Sequence, residues 1–204
     1  MIKTNESLTR YLVSIGALQT SKIAKTFAKV DRADFVPQQF LGEAYEDHPL
    51  KIGPSQTISQ PSTVAFMLEL LDPREGEKVL DIGSGSGWTT ALLAMSVEVK
   101  GEVLGLEIMP ELVKFGQKNL KKYKFANAKI LQAGEKPGLA GKAPFDKILV
   151  SASAKDLPSG LVDQLKIGGR LVIPIGNSIW QIDKISKNKT VKKEFPGFIF
   201  VPLR

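Results

Sequence analysis

The run Val79-Leu80-Asp81-Ile82-Gly83-Ser84-Gly85-Ser86-Gly87-Trp88 restricts the fold more than any other stretch of this chain. A short apolar run, then glycines at alternate positions, then a new apolar stretch describe a buried strand, a tight loop and a helix. Glycine has no Cβ and tolerates φ > 0, so such a loop lets a nucleotide-like ligand lie against the backbone. The dinucleotide fingerprint requires Gly or Ala three residues after its second glycine. Counted from Gly83 and Gly85 that position is Trp88, and counted from Gly85 and Gly87 it is Thr90, so neither register fits. A second acid, Glu107, stands 24 residues after Gly83 and closes another apolar run, Val103-Leu104-Gly105-Leu106. Acid, glycine loop and second acid in this order suit S-adenosyl-L-methionine better than a nicotinamide. Asp81 is expected to fix the loop and approach the methionine ammonium, Glu107 to accept both ribose hydroxyls, and no pyrophosphate has to be held. The structural alternatives are a plain strand-to-helix turn for the glycines, a cap for Asp81 and an exposed strand end for Glu107.

The rest of the chain supplies the matching architecture. From residue 77 onward, predicted strands at 77–82, 102–107, 128–133, 146–151 and 169–175 alternate with helices at 88–96, 110–123 and 158–165. Such alternation implies a Rossmann-like α/β fold, a doubly wound and mostly parallel sheet with right-handed crossovers. The tail departs from it. Ile179–Ile185, a turn at 186–189, Val191–Phe195 and Phe198–Val201 read as hairpin strands forming an antiparallel C-terminal edge. Upstream, Leu8, Leu12 and Ile15 share one helical stripe, and Ile23, Phe27 and Val30 another, with Thr20 or Ser21 as its cap. Pro61 opens a helix whose apolar face carries Val64, Met67, Leu68 and Leu71. Between them, residues 31–60 are rich in Pro, Gly, Gln and Asp and read as a long functional loop. The expected organisation is one domain, 1–204, with 1–60 as helical extension and substrate loop and 61–204 as the cofactor-binding core.

Composition removes several chemistries. The chain has no cysteine and one histidine, His48, which excludes disulfides and thiolates and makes a metal site or a Ser-His-Asp triad implausible. No metal is expected. Its net charge of +7 comes largely from two lysine groups, Lys118 to Lys124 and Lys184 to Lys193. These read as a helix end, where cations complement the dipole, and as a solvated hairpin. Aromatics do not interleave with the lysines as a single-strand stacking surface requires. No apolar run is long enough for a bilayer, and the start lacks a secretory core, so a cytoplasmic location is the default expectation. His48, before Pro49, reads as a surface residue, Trp88 as packing behind the glycine loop, and Asp146 as fixing the start of its strand.

Three segments then converge: the loop Ile52-Gly53-Pro54-Ser55-Gln56-Thr57-Ile58-Ser59-Gln60-Pro61, the glycine loop from Asp81 to Gly87, and Ala143–Val150 followed by Gly168–Gly176. Together with Phe35-Val36-Pro37, Ala44-Tyr45-Glu46-Asp47 and Phe200-Val201-Pro202-Leu203, they resemble the protein-L-isoaspartate O-methyltransferase family over nearly the whole chain after about residue 30. The resemblance implies that Ser59 is the catalytic serine and that Thr57 to Ser59 line cofactor and substrate. It extends the implied cofactor-binding set to Gln56, Thr57, Ile58, Ser59, Asp81, Gly83, Ser84, Gly85, Glu107, Ile108, Gly134 and Glu135. The implied partner is an isoaspartyl-containing peptide or protein, with no obligatory nucleic acid, no membrane and a monomeric enzyme. A carboxylate is already ionised at neutral pH, so a single displacement at the sulfonium methyl needs alignment more than a base. Ser59 and Gln60 are expected at the cap of the Pro61 helix, where free N–H groups and the dipole favour an anion. Ser59 is then an orienting donor; the alternative is a helix cap only.

Three departures stand out against the family pattern. Gly134-Glu135-Lys136 replaces the usual Gly-Asp-Gly that meets the adenine edge, and a lone solvated acid is the other reading of Glu135. Pro54-Ser55 stands where a glycine is common, and no longer tail follows Leu203 to cover the cofactor. Two alternatives remain on the sequence alone: the same scaffold methylating RNA or a peptide natural product, and a non-catalytic binding module.

Overall fold

The computed structural model describes residues 2–203. Helices α1 (Asn5–Ser14) and α2 (Ser21–Lys29) open the chain. A Thr4–Ser7 capping box starts α1, while Leu8 and Leu12 turn its apolar stripe inward. Ile15 falls just past the helix and is 49% exposed, so it is not part of that stripe. Thr20 does stand at the start of α2, but its hydroxyl caps nothing there and donates to Glu69 instead, 2.6 Å away.

The expected long loop is more ordered than its composition suggested. It holds two short 3-10 turns, Arg32–Phe35 and Gln38–Glu43, and an antiparallel hairpin of β1 (Leu50–Gly53) and β2 (Gln56–Ile58). Strands this short carry too few alternations to register as a period. Ser55, at the hairpin tip, has φ of 56°, a left-handed conformation that explains why glycine suits this position.

Helix α3 (Pro61–Leu71) leads into β3 (Lys78–Ile82), α4 (Trp88–Val97), β4 (Glu102–Glu107), α5 (Pro110–Lys121), β5 (Ala128–Gln132), β6 (Phe145–Val150), α6 (Ser159–Asp163), β7 (Leu165–Ile175), β8 (Ser178–Ser186) and β9 (Lys189–Pro196). The seven-stranded sheet runs β5-β4-β3-β6-β7-β8-β9, parallel from β5 to β7 and antiparallel at β8 and β9. The strand order reverses between β3 and β6, and open α/β sheets bind ligands at the carboxyl ends of strands beside such a switch.

Period-two alternation divides the core. Val79, Val103, Leu149 and Val172 pack beneath the helices from α1 to α5, and Leu80, Leu104, Ile148 and Leu171 pack on the other face with Leu161 of α6. The doubly wound sheet is therefore covered unevenly. The predicted helix at 158–165 shrinks to α6, because β7 begins at Leu165 and pairs with Phe145 before an irregularity ahead of Arg170. Asp146 accepts from the Lys78 backbone N–H at 2.8 Å, fixing the start of neighbouring β3.

Phe198–Val201 is not a hairpin strand. Val201 and Leu203 instead exchange backbone hydrogen bonds with Ser153, which draws the C-terminal segment over the carboxyl end of the sheet. Phe198 stacks on Phe66 of α3 at a ring separation of 5.2 Å, anchoring the start of that segment. Among the described residues no helix is long and apolar enough to cross a membrane.

Candidate active site

At the carboxyl ends of β3 and β4 lies a cleft of about 830 Å³, counting the space at its open mouth. The glycine loop forms its floor. Gly83, Gly85 and Gly87 all have positive φ (77°, 52° and 90°), which is why glycine recurs at alternate positions. Backbone bonds from Gly83 and Ser84 to the Leu106 carbonyl tie the loop to β4, and Asn119 of α5 donates to the Ser86 carbonyl from behind. Helix α5 comes this close because Gly116 carries no side chain: a Cβ there would sit 3.0 Å from the Gly85 carbonyl oxygen.

The two acids play different parts. Glu107 is 6% exposed and stands on the cleft wall, its Oε2 accepting from Gly85 N–H and its Oε1 from Met109 N–H, each at 2.9 Å. Both oxygens keep a further lone pair, so the carboxylate can still receive a pair of hydroxyls. Asp81 is fully buried beneath the loop and is not part of the cleft wall. Its Oδ2 accepts from the Thr89 and Thr90 hydroxyls at 2.8 and 2.6 Å, while Oδ1 has no partner. Burial pushes its carboxyl up to about 6, against the two threonine bonds, and the nearby Glu107 charge adds to the rise. The structure thus gives Asp81 the loop-fixing part of the expected role, acting through α4, and no place on the surface a ligand would meet.

Of the other expected residues, Gln56, Thr57, Ile58, Ser59, Gly83, Ser84, Gly85 and Ile108 all line this cleft. Gly134 and Glu135 do not. They lie on an exposed loop beyond β5, and Ala133 occupies the wall at that end. Ser151 and Ala152 after β6, which sequence reasoning did not single out, also line the cleft, as do Val201, Pro202 and Leu203 of the C-terminal segment, which it marked only as part of the family resemblance and not as site residues. That segment forms part of the cleft wall. Trp88 sits at the back, 2% exposed, edge-on to Phe27.

Ser59 lies where two clefts meet. It lines the one just described and a second, between Pro49, Gln60, Thr63, Ser151 and the segment Ile199–Val201, whose lining includes no charged side chain. Its hydroxyl makes no hydrogen bond among the described residues, so it is not the cap of α3, and Gln60 at the cap position makes no side-chain bond either. Asp47 does that work: its Oδ1 accepts from Ser62 N–H at 2.8 Å. The helix tip expected to offer free donors to an anion is therefore already partly neutralised by an acid from the loop. Replacing Asp47 by Ala is expected to cost about 1 kcal/mol, the usual worth of such a cap, read as a shift in denaturant midpoint; Asn should restore most of it.

The cleft fits S-adenosyl-L-methionine on features independent of any likeness. Its floor is backbone held open by glycine, its wall carries an acid with spare acceptor capacity, and Leu106, Ile108 and Ala133 give an apolar surface for a flat base. The buried Ser84 hydroxyl, unpartnered within the protein, adds a polar group on the same floor.

Comparisons agree with the geometry. Residues 3–204 match the family model described as protein-L-isoaspartate(D-aspartate) O-methyltransferase. A protein-L-isoaspartate O-methyltransferase of Methanopyrus kandleri is 41% identical over 206 residues, covering 98% of this chain and 91% of that protein. One of Ignicoccus hospitalis is 38% identical over 208 residues, covering 100% of this chain and 98% of its own length. A Plasmodium falciparum crystal structure, described as a protein-L-isoaspartate O-methyltransferase in complex with S-adenosyl-L-homocysteine, superposes with a TM-score of 0.88 at 30% identity over 98% of both chains. With nearly its whole length matched, and with its glycine loop, Glu107 and Ser59 gathered around one cleft, this chain belongs to the protein-L-isoaspartate(D-aspartate) O-methyltransferase family.

Proposed function

We propose that this protein transfers a methyl group from S-adenosyl-L-methionine to the free carboxylate of L-isoaspartyl residues in damaged proteins and peptides, the step that starts repair through a succinimide. The observation that carries this reading is the position of Ser59, on the shared wall of the cleft bearing Glu107 and of the second cleft beneath Ile199–Val201. Bound S-adenosyl-L-methionine supplies an activated methyl group. The chain supplies the rest. Glu107 holds the ribose end, Gly83, Ser84 and Gly85 present the loop backbone, Gln56, Thr57 and Ile58 close one side, and Ile108 packs the base. Gly134 and Glu135 would serve the base edge only from the rim.

Ser59 is the proposed catalytic residue, as a donor that orients the incoming carboxylate. A deprotonating base is unnecessary because that carboxylate is ionised at neutral pH, and no carboxylate or imidazole contacts the Ser59 hydroxyl among the described residues. The uncharged second cleft suits a peptide recognised through its backbone and its misplaced carboxylate. The reading includes a monomer that needs no nucleic acid. Lys189, Lys192 and Lys193 on the edge strand β9 oppose strand pairing with another copy, which supports the monomer. The single-domain organisation and the cytoplasmic location rest on the sequence.

Incubation with an isoaspartyl peptide and methyl-labelled cofactor should yield a base-labile methyl ester, with no label on the aspartyl control; equal labelling of the two would sink the assignment. Ser59→Ala should lower kcat/KM about 10- to 100-fold, the range expected for one hydrogen bond to a charged group, and leave the unfolding midpoint unchanged. A matching fall in stability would make Ser59 a structural residue.

A further inference from the structure

Arg32 is the largest charged group in the core and has no part in the chemistry above. It is 0% exposed, and among the described residues it makes no ion pair. Its guanidinium is instead held by main-chain carbonyls. Nη1 donates to Ala44 at 2.8 Å and to Glu46 at 3.2 Å, and Nη2 donates to His48 at 3.0 Å and to Ser59 at 3.2 Å. Its centre lies 5.4 Å from the Trp88 ring, a cation over an aromatic face. Nε has no partner.

Burying a cation without a carboxylate is expensive, and only dense hydrogen bonding makes it tolerable. Burial draws Arg32 down to about 10, with the Asp47 charge acting in the opposite direction. A buried hydrocarbon would fill the space at lower cost, so the useful product of this arrangement is the geometry that it imposes. Alternate carbonyls of residues 44–48 converge on one planar fork, and the fourth carbonyl belongs to Ser59. That same loop carries Asp47, which fixes Ser62 N–H. The stretch from Ser59 to Ser62 is thereby pinned at both ends by a loop organised on one side chain.

We propose that Arg32 is a positioning residue for the methyl transfer, setting the Ser59 peptide and hence its hydroxyl on the wall shared by the two clefts. The inference rests on the function proposed for Ser59. Misplacing a reacting or orienting group by about 1 Å can cost roughly 100-fold in rate. Neither a lysine ammonium nor a glutamine amide can span four carbonyls in one plane.

Arg32→Lys and Arg32→Gln are the tests, the first keeping the charge and the second removing it. Each should lower kcat for the isoaspartyl peptide by about 10- to 100-fold, no more than Ser59→Ala does, with the calorimetric Kd for S-adenosylhomocysteine within threefold of the unmodified protein. In a Ser59→Ala background the same changes should cost less than threefold, because residues acting through one group are not additive. Full additivity, unchanged kcat, or a parallel loss of activity and cofactor affinity in both variants would overturn the proposal, as would failure of both to fold, since Arg32 would then be a fold determinant. Failure of the underlying function is separable: the unmodified protein would itself not discriminate isoaspartyl from aspartyl peptide.

Discussion

Replacing Glu107 by Gln is expected to weaken S-adenosylhomocysteine binding by at least about 100-fold, the largest single effect anticipated here. The carboxylate is acceptor-only, and both oxygens already face backbone donors, Gly85 N–H and Met109 N–H at 2.9 Å each. Glutamine brings one acceptor and one donor to the same place, so one backbone N–H must face an NH₂ group. Either the glycine loop or the turn into α5 is pushed away, and the ribose diol proposed to meet Glu107 would lose one of its two acceptors. Hydrogen bonds to a charged group contribute about 1.5–3 kcal/mol each, and leaving a buried donor unpaired adds to the loss. Two such changes amount to about 3 kcal/mol or more, which is at least about 100-fold in Kd. Titration calorimetry reads this directly. A Kd within threefold of the unmodified protein would show that Glu107 only braces the loop.

The second large effect is a pH dependence of stability governed by Asp81. Its carboxyl is raised by burial to about 6 in the folded protein, against an unfolded value of about 3.9. Between those values the folded state holds a proton that the unfolded state has released. The Asp81 contribution to stability is therefore fully present below about pH 4, is lost as pH rises toward about 6, and is constant above that. A rise of about two pH units corresponds to roughly 3 kcal/mol. Asp81→Asn keeps one oxygen for Thr89 and Thr90 and cannot ionise. The stability of this variant relative to the unmodified protein should therefore improve by roughly that amount between pH 4 and pH 7. Urea unfolding across that range tests it. A constant difference would mean that Asp81 titrates alike in both states.

These two acids show how differently sequence and structure bear on one site. Gly83, Gly85, Glu107 and the loop-fixing place of Asp81 were legible because their signals are local; that Asp81 turns away from the cleft to Thr89 and Thr90 was not. A strand end, alternating glycines that need positive φ, and a second strand end can be read within a short window, and the parallel alternation then places them together. Helix α3 was legible from Pro61 and an apolar stripe for the same reason. The loop from 31 to 60 was not, because its strands are too short for a period and its order comes from contacts made elsewhere.

What the sequence determined by itself is the α/β architecture, the glycine-loop cleft and, through the resemblance that Thr57–Pro61 carries, the place of Ser59 on its wall. What only the tertiary structure decided is how that serine is held and enclosed. Arg32 reaches the Ser59 carbonyl across 27 positions, Asp47 caps a helix that begins 14 residues later, and Leu203 meets Ser153. No periodicity encodes such pairings. They arise because the sheet brings its carboxyl ends, the loop ahead of α3 and the C-terminal segment to one edge. There, buried main-chain and charged groups must find partners, whatever their distance along the chain.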